Sequence, residues 1–238
     1  MTAPWWQTAF GEHYSEVYAH RDDAAAASEV AALLPHLPRG PVLDAGCGAG
    51  RHLAALRAAG IPAVGFDYSG DLLAQARMRP GCRGHLARGD LRALPVAGDL
   101  SAVLLLFTVF GYFSDEQNAQ VLRDLAGLLA PGGVLVLDLP AAERLRAGLV
   151  PESRRQTPRG ELIERRRLVG QRVVKTVSLP GLDYEESVRL YEAGEVRDLA
   201  SAAGLHAGDC WPGLGGTSVD QGRNVWWLWR RPLGSAAE

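Results

Sequence analysis

Between residues 39 and 139 short apolar runs alternate with stretches of helical periodicity. Residues 42–44 read as a strand, 51–59 as a helix stopped by Gly60, 63–66 as a second strand, and 71–78 as a helix ended by Pro80 and Gly81. Residues 100–106 form a continuous run that is apolar but for Ser101, the mark of a strand buried on both faces. Ser114 can cap the helix that follows, in which Val121, Leu122, Leu125, Leu128 and Leu129 keep helical spacing. Pro131, Gly132 and Gly133 break that helix, and 134–139 form another buried strand. Alternation of this kind implies right-handed crossovers and a parallel sheet with helices on both faces.

The pattern changes after Pro140. Residues 161–169 and 172–179 are rich in charged and β-branched residues around Gly170 and Gln171, which predicts a hairpin, and 184–191 add a third antiparallel strand. A helix over 195–203 and a last strand over 224–230 follow. Ahead of the sheet, 4–20 and 23–34 read as two helices, one aromatic-rich and one alanine-rich. The expectation is one domain over 1–238: N-terminal helices to 38, a ligand-binding core over 39–140, an antiparallel insertion over 141–192, and a C-terminal helix and strands over 193–232.

The 238 residues carry 47% hydrophobic and 22% charged positions, an ordinary globular balance, and a formal net charge of −2. That charge offers no basic surface for nucleic acid, so none is expected as a partner. Basic residues are arginines with one exception, Lys175. Cys47, Cys82 and Cys210 are distant and lack metal-ligand spacing, as do the histidines. No metal site is expected, and the cysteine usage fits a reducing cytoplasm. No apolar run is long enough to span a bilayer. Oligomeric state is not readable from the sequence.

The chemistry concentrates in the first strand and turn, VLDAGCGAG at 42–50. Glycines there let the backbone take positive φ and bring its N–H groups near a ligand. Their G-x-G-x-G spacing differs from the G-x-G-x-x-G that serves a dinucleotide pyrophosphate, and Asp44 stands two residues before the first of them. Asp67 ends the next strand, where such folds place an acid that grips a ribose, and Asp90 follows the third. Three acids at strand ends of one sheet form a nucleoside-shaped site at its switch point.

Over roughly residues 40–140 the chain resembles the class I S-adenosylmethionine-dependent methyltransferases, and among them the small-molecule members. The glycine-rich motif at 42–50 and LLAPGGVL at 128–135 carry the likeness in order and spacing; LFTVFGYF at 106–113 resembles the segment that borders cofactor and acceptor. The resemblance implies a Rossmann-like, mostly parallel seven-stranded sheet with helices on both faces, plus a small antiparallel acceptor-side addition. It implies S-adenosyl-L-methionine as cofactor, held by Asp44, Ala45, Gly46, Cys47, Gly48, Gly50, Asp67, Tyr68, Asp90, Leu91 and Phe107.

The sulfonium of that cofactor is an activated leaving group, so the protein's task is alignment and exclusion of water. The acceptor wall is expected from Trp5, Trp6, Tyr14 and Tyr18 of the N-terminal helix, read as a lid, together with Phe110, Tyr112 and Arg189. A general base, where the acceptor needs one, is sought at His13 or Tyr14. The expected function is methyl transfer to a small organic molecule through nitrogen, oxygen or carbon. The alternative is a protein of the same fold that binds the cofactor for another reaction or a regulatory role.

Overall fold

The computed structural model describes residues 5–11, 14–18, 22–214 and 222–232. Seven strands form the main sheet: β1 (Val42–Ala45), β2 (Ala63–Asp67), β3 (Leu86–Arg88), β4 (Leu100–Leu105), β5 (Leu129–Pro140), β10 (Leu205–Trp211) and β11 (Arg223–Arg230). Their order is β10-β11-β5-β4-β1-β2-β3. The pairs β1–β2, β2–β3, β1–β4 and β4–β5 are parallel, and β11 runs antiparallel to both β5 and β10. The order reverses at β1 and β4, so the switch point lies at the carboxyl ends of these two strands.

Continuous apolar strands follow from this arrangement, because alternate residues face two separate cores. Val103 and Leu105 of β4 pack with Leu135 and Leu137 of β5 against α6 (Asp115–Gly127) and α8 (Ala193–Ala202). Ala102 and Leu104 pack with Val134 and Val136 against α3 (Asp23–Leu33) and α4 (Arg51–Ala58). Ser114 caps α6 as expected by accepting from the Gln117 amide, and Ser69 caps α5 (Gly70–Arg77) by accepting from the Leu72 amide.

A separate antiparallel sheet holds β6 (Glu152–Thr157), β7 (Gly160–Val169), β8 (Arg172–Leu179) and β9 (Leu182–Arg189), in that order. Strands β7 to β9 match the predicted hairpin and third strand. Strand β6 was not expected, since its residues ESRRQT lack apolar alternation; it is an edge strand, mostly exposed. The N-terminal stretch is two short helices, α1 (Trp5–Ala9) and α2 (Tyr14–Val17), rather than one, with a turn at Phe10 and Gly11 between them. Ala9 and Val17 are buried against Leu162, Val177, Leu179 and Tyr184 of the antiparallel sheet.

The two sheets meet at the loop after β4. The Gly111 carbonyl accepts from the Arg189 amide at 2.8 Å. Gly111 has φ of 100°, and a Cβ there would lie 3.0 Å from the Arg189 carbonyl oxygen, so both conformation and close approach demand glycine. Gly111→Ala should cost about 1–3 kcal/mol in denaturant unfolding. Gly127→Ala is the control, since nothing lies within 4 Å of a Cβ there and its φ is ordinary; it should be neutral or slightly stabilising.

Candidate functional site

A cleft of about 600 Å³ opens at the switch point, between the carboxyl ends of β1 and β4, the N-terminal helices and the antiparallel sheet. Its volume is in the range of small-molecule sites. The glycine turn forms one end. Gly46, Gly48 and Gly50 all have positive φ, at 73°, 52° and 75°. The amides do not behave as expected, however. Those of Gly46 and Cys47 donate to the Phe66 carbonyl, that of Gly48 to Asp67, and that of Gly50 to the Cys47 carbonyl. Glycine here permits a tight turn that ties β1 to β2, and these four N–H groups are spent inside the protein.

Two strand-end carboxylates line the same end. Asp67 accepts from the Gly48 amide through Oδ2 and from the Ser69 amide through Oδ1, both at 2.8 Å. Burial nevertheless raises its pKa above the usual carboxylate value, these amides opposing. Asp44 is 2% exposed, and its Oδ2 has no hydrogen-bond partner. Its pKa is pushed up to about 6, first by burial and further by the charge of Asp67, while His52 and Arg51 oppose the shift. A second, small cavity adjoins at Asp67, lined also by Trp6, Phe66, Tyr68, Asp90 and Leu91. The Asp90 carboxylate is held by Arg92, with Oδ2 2.7 Å from Nη2 and Oδ1 3.0 Å from Nε, and that hydrogen bonding lowers its pKa.

Phe107 and Thr108 occupy the middle of the cleft, and both adopt positive φ, near 60°. Such conformations cost of order 1–3 kcal/mol each and persist only where surroundings impose them. Here Asp138, fully buried on β5, imposes them. Its Oδ2 accepts from the Phe107 amide at 2.8 Å and its backbone carbonyl from the Thr108 amide. Its Oδ1 takes the Arg223 guanidinium at 2.6 Å, which also donates to the Thr108 hydroxyl. The Phe107 ring stacks on His52, whose Nε2 lies 2.7 Å from the buried Glu29 carboxylate.

Aromatic side chains and the antiparallel sheet close the far end. Trp5, Tyr14, Tyr18 and Tyr112 line the cleft, with Trp5 edge-on to Tyr112 at 4.8 Å. Trp6 lines the small cavity instead and meets Phe113 at 5.2 Å. Ala45 is core, and Gly50 caps α4 without lining either cavity. Two acceptor-side expectations are corrected. Phe110 is buried in the core against Tyr191, and Arg189 lies outside the cleft, bound to Asp115, Glu195 and the Leu190 carbonyl. Alternation along β9 sends Arg189 one way and Glu186 and Val188 the other, toward the cleft. His13 lies outside the described residues.

Several lining groups were not anticipated: Arg51, His52, Arg155, Glu164, Arg166, Lys175, Glu186 and Arg223. A usable signal existed in Lys175, the single lysine of an arginine-rich chain, on an otherwise apolar face of β8. Among the described residues no cluster has the make-up of a metal site, and no helix is long and apolar enough to cross a membrane.

Glycine turn, strand-end acids and switch-point cleft together define a Rossmann-like fold of the nucleoside-binding kind. Residues 42–133 match the family model described as a methyltransferase domain. The trans-aconitate 2-methyltransferase of Rhizobium meliloti is 36% identical over 117 residues, covering 48% of this chain and 44% of that protein. The chain thus spans about half the length of the curated relatives it matches. Among solved structures, Streptomyces venezuelae DesVI is 25% identical with a TM-score of 0.70, covering 93% of this chain and 98% of that one. An S-adenosylmethionine-dependent methyltransferase from Clostridium acetobutylicum shares the fold at a TM-score of 0.76 and 15% identity, over 92% and 96% of the two chains. Over residues 42–133 the chain is thus similar to a methyltransferase domain, and its fold is the one found in solved S-adenosylmethionine-dependent methyltransferases.

The raised Asp44 pKa makes a stability prediction. Between the ordinary value of 3.8 and about 6 the folded protein keeps a proton that the unfolded chain has released, so stability falls as pH rises through this window. The loss is on the order of 3 kcal/mol. Asp44→Asn lacks this titration, so its stability relative to wild type should improve from pH 4 to pH 7 by that amount in urea unfolding. Parallel pH profiles for the two proteins would remove the basis for an unpaired Asp44.

Proposed function

We propose that this chain transfers a methyl group from S-adenosylmethionine to a small organic acceptor bound between the aromatic N-terminal helices and the antiparallel sheet. The observation that carries the reading is a cleft that joins the glycine turn and an Asp44 carboxylate whose Oδ2 has no partner to a second, chemically different wall. The relative from Rhizobium meliloti is named for a small acceptor, trans-aconitate.

The residues present suit the cofactor. A buried carboxylate oxygen without a partner is costly unless a ligand supplies a donor, and the amino group of the methionine portion is a cationic one. Asp67 has both oxygens at the turn and keeps lone pairs for ribose hydroxyls. The cavity beside Asp90 and Leu91, walled by Phe66 and Trp6, offers the adenine an apolar lining with a carboxylate at its rim. Phe107 borders the path between the two halves of the cleft.

Bound S-adenosylmethionine supplies a methyl on a sulfonium, which needs no further activation by the protein. What remains for the chain is to hold the acceptor in line and keep water away. The rigid Phe107–Thr108 turn and the rings of Trp5, Tyr14 and Tyr112 serve these ends, since their packing leaves little rotational freedom. Tyr14 lines the cleft and is the candidate for handling a proton where the nucleophile carries one.

Incubation with methyl-labelled cofactor and a panel of metabolites should release S-adenosylhomocysteine and label one chemical class. Tight cofactor binding without turnover on any acceptor would overturn the catalytic reading. Asp67→Ala should weaken S-adenosylhomocysteine by roughly 1.5–3 kcal/mol in calorimetry, the worth of a hydrogen bond to a charged group. Affinity for the same ligand should rise with pH through about 6 as Asp44 ionises, and Asp44→Asn should flatten that rise. An affinity independent of pH in the wild type would detach Asp44 from the amino group.

A further inference from the structure

The antiparallel wall of the cleft carries charge where sheet packing would accept apolar residues. Cross-strand register puts Arg166, Lys175 and Glu186 side by side on β7, β8 and β9, with Glu164 one row away on the same face. The next row continues with Val177 and Tyr184, and Leu162 and Leu179 share that face; there the sheet is sealed by α1 and α2. Charge begins where the cleft begins.

These four side chains are poorly solvated, between 10% and 26% exposed. Lys175 Nζ lies 2.9 Å from Glu186 Oε2, 3.5 Å from Glu164 Oε1 and 2.5 Å from the Tyr18 hydroxyl, which itself donates to Glu186 Oε1 at 2.6 Å. Arg166 pairs with Glu164 at 2.7 Å. Two cations and two carboxylates cancel. Arg155, the remaining cation on this wall, is bound to the backbone carbonyls of Glu16 and Val17 and acts as a tether for α2. Replacing such a network by apolar residues would often be neutral or stabilising, so its retention in a ligand cleft calls for a use.

An array with no net charge gives no advantage to an anionic or cationic acceptor. It offers fixed donors and acceptors in alternation, since each carboxylate oxygen has spare lone pairs and each guanidinium spare N–H groups. Facing it are the flat, apolar rings of Trp5, Phe10, Tyr14 and Tyr112. A ligand that satisfies both walls has one C–H-rich face for the rings and adjacent hydroxyls that bridge carboxylate to ammonium or guanidinium. A purely hydrocarbon ring would desolvate the four charges without compensation.

We propose that the Glu164–Arg166–Lys175–Glu186 array is an acceptor subsite for a neutral polyhydroxylated ring of the sugar or cyclitol class. This rests on the methyl-transfer reading above and narrows its acceptor.

The test uses full-length protein saturated with S-adenosylhomocysteine and probed by calorimetry and saturation-transfer NMR. Hexosamines, inositols and nucleotide-linked sugars are compared with cyclohexylamine and cyclohexanol, which have the ring without the hydroxyl array. At least one polyol should bind, and should do so about tenfold or more tightly than the deoxygenated rings. Glu186→Gln and Lys175→Met should each weaken the polyol about tenfold while changing S-adenosylhomocysteine affinity less than twofold. Should either fail to fold, Tyr18→Phe, which keeps the ring, removes one hydroxyl of the array and should weaken the polyol alone. Equal binding of cyclohexylamine, no binding by any polyol, or unchanged polyol affinity in the folded variants overturns the subsite. Failure of the wild type to bind S-adenosylhomocysteine would instead count against the methyl-transfer reading itself.

Discussion

Arg172 donates to the carbonyl oxygens of Gly111, Tyr112, Phe113 and Ser187, and to the Ser187 hydroxyl, all at 2.8–3.1 Å. One guanidinium therefore satisfies three successive carbonyls of the loop after β4 and fastens them to β8 and β9. Backbone carbonyls that turn inward at a sheet edge must find donors, and water is scarce between two packed sheets. Arginine suits the place because its rigid fork presents five N–H groups in one plane. Burial lowers its pKa from the ordinary value, the cost of desolvating a cation to serve neutral acceptors. Without this lock three loop carbonyls would lose their guanidinium, and the angle of the antiparallel sheet over the cleft would rest on the Gly111–Arg189 hydrogen bond, the Arg189–Asp115 and Arg146–Gln171 contacts and side-chain packing.

The same loop is fixed at its other end by Asp138. Between Phe107, held by that carboxylate, and Phe113, held by Arg172, the chain crosses from the glycine-turn half of the cleft to the sheet half. Two charged side chains from distant parts of the sequence thus clamp seven residues whose backbone includes two strained positions. The strain is affordable because the clamp is buried and redundant: Arg223 binds both Asp138 and Thr108. Rigidity at this crossing sets the distance between the two ends of the cleft, and an in-line transfer depends on that distance.

This division explains what could be read from the sequence. The glycine-turn half is local: strand, turn and helix are contiguous from Val42 to Arg51, so residue type and spacing carry the geometry. The sheet was legible because burial on both faces leaves β4 and β5 almost wholly apolar, Ser101 and Asp138 being the polar side chains within them. The acceptor half is assembled across strands. Period-two alternation separates Glu186 from Arg189, but which set faces inward is decided by docking at Gly111 and Arg172, which no local pattern encodes. Arg189 was therefore expected in the cleft and Glu186 was not. Phe110 was misplaced for a related reason: the reversed backbone at Phe107 and Thr108 changes which ring of the following segment turns inward. The single N-terminal helix failed at Phe10 and Gly11, where the chain must turn for α1 and α2 both to reach the antiparallel sheet.

The two ends of the cleft also differ in how they meet the cost of burying charge. At the sheet end four charges neutralise one another, so the array is nearly indifferent to being empty and gains chiefly from a ligand that matches its hydrogen-bond pattern. At the glycine-turn end Asp44 stands without a partner for Oδ2, and its raised pKa measures the destabilisation of its charged form. Above about pH 6 the folded protein carries that unfavourable charge until a cation arrives. A cationic ligand group placed there recovers energy the fold has already lost, so its apparent affinity exceeds what the same contact would give on a relaxed surface. Destabilisation concentrated at one atom of the cleft floor thereby becomes selectivity for charge at that end, while the opposite end selects by shape and hydroxyl pattern.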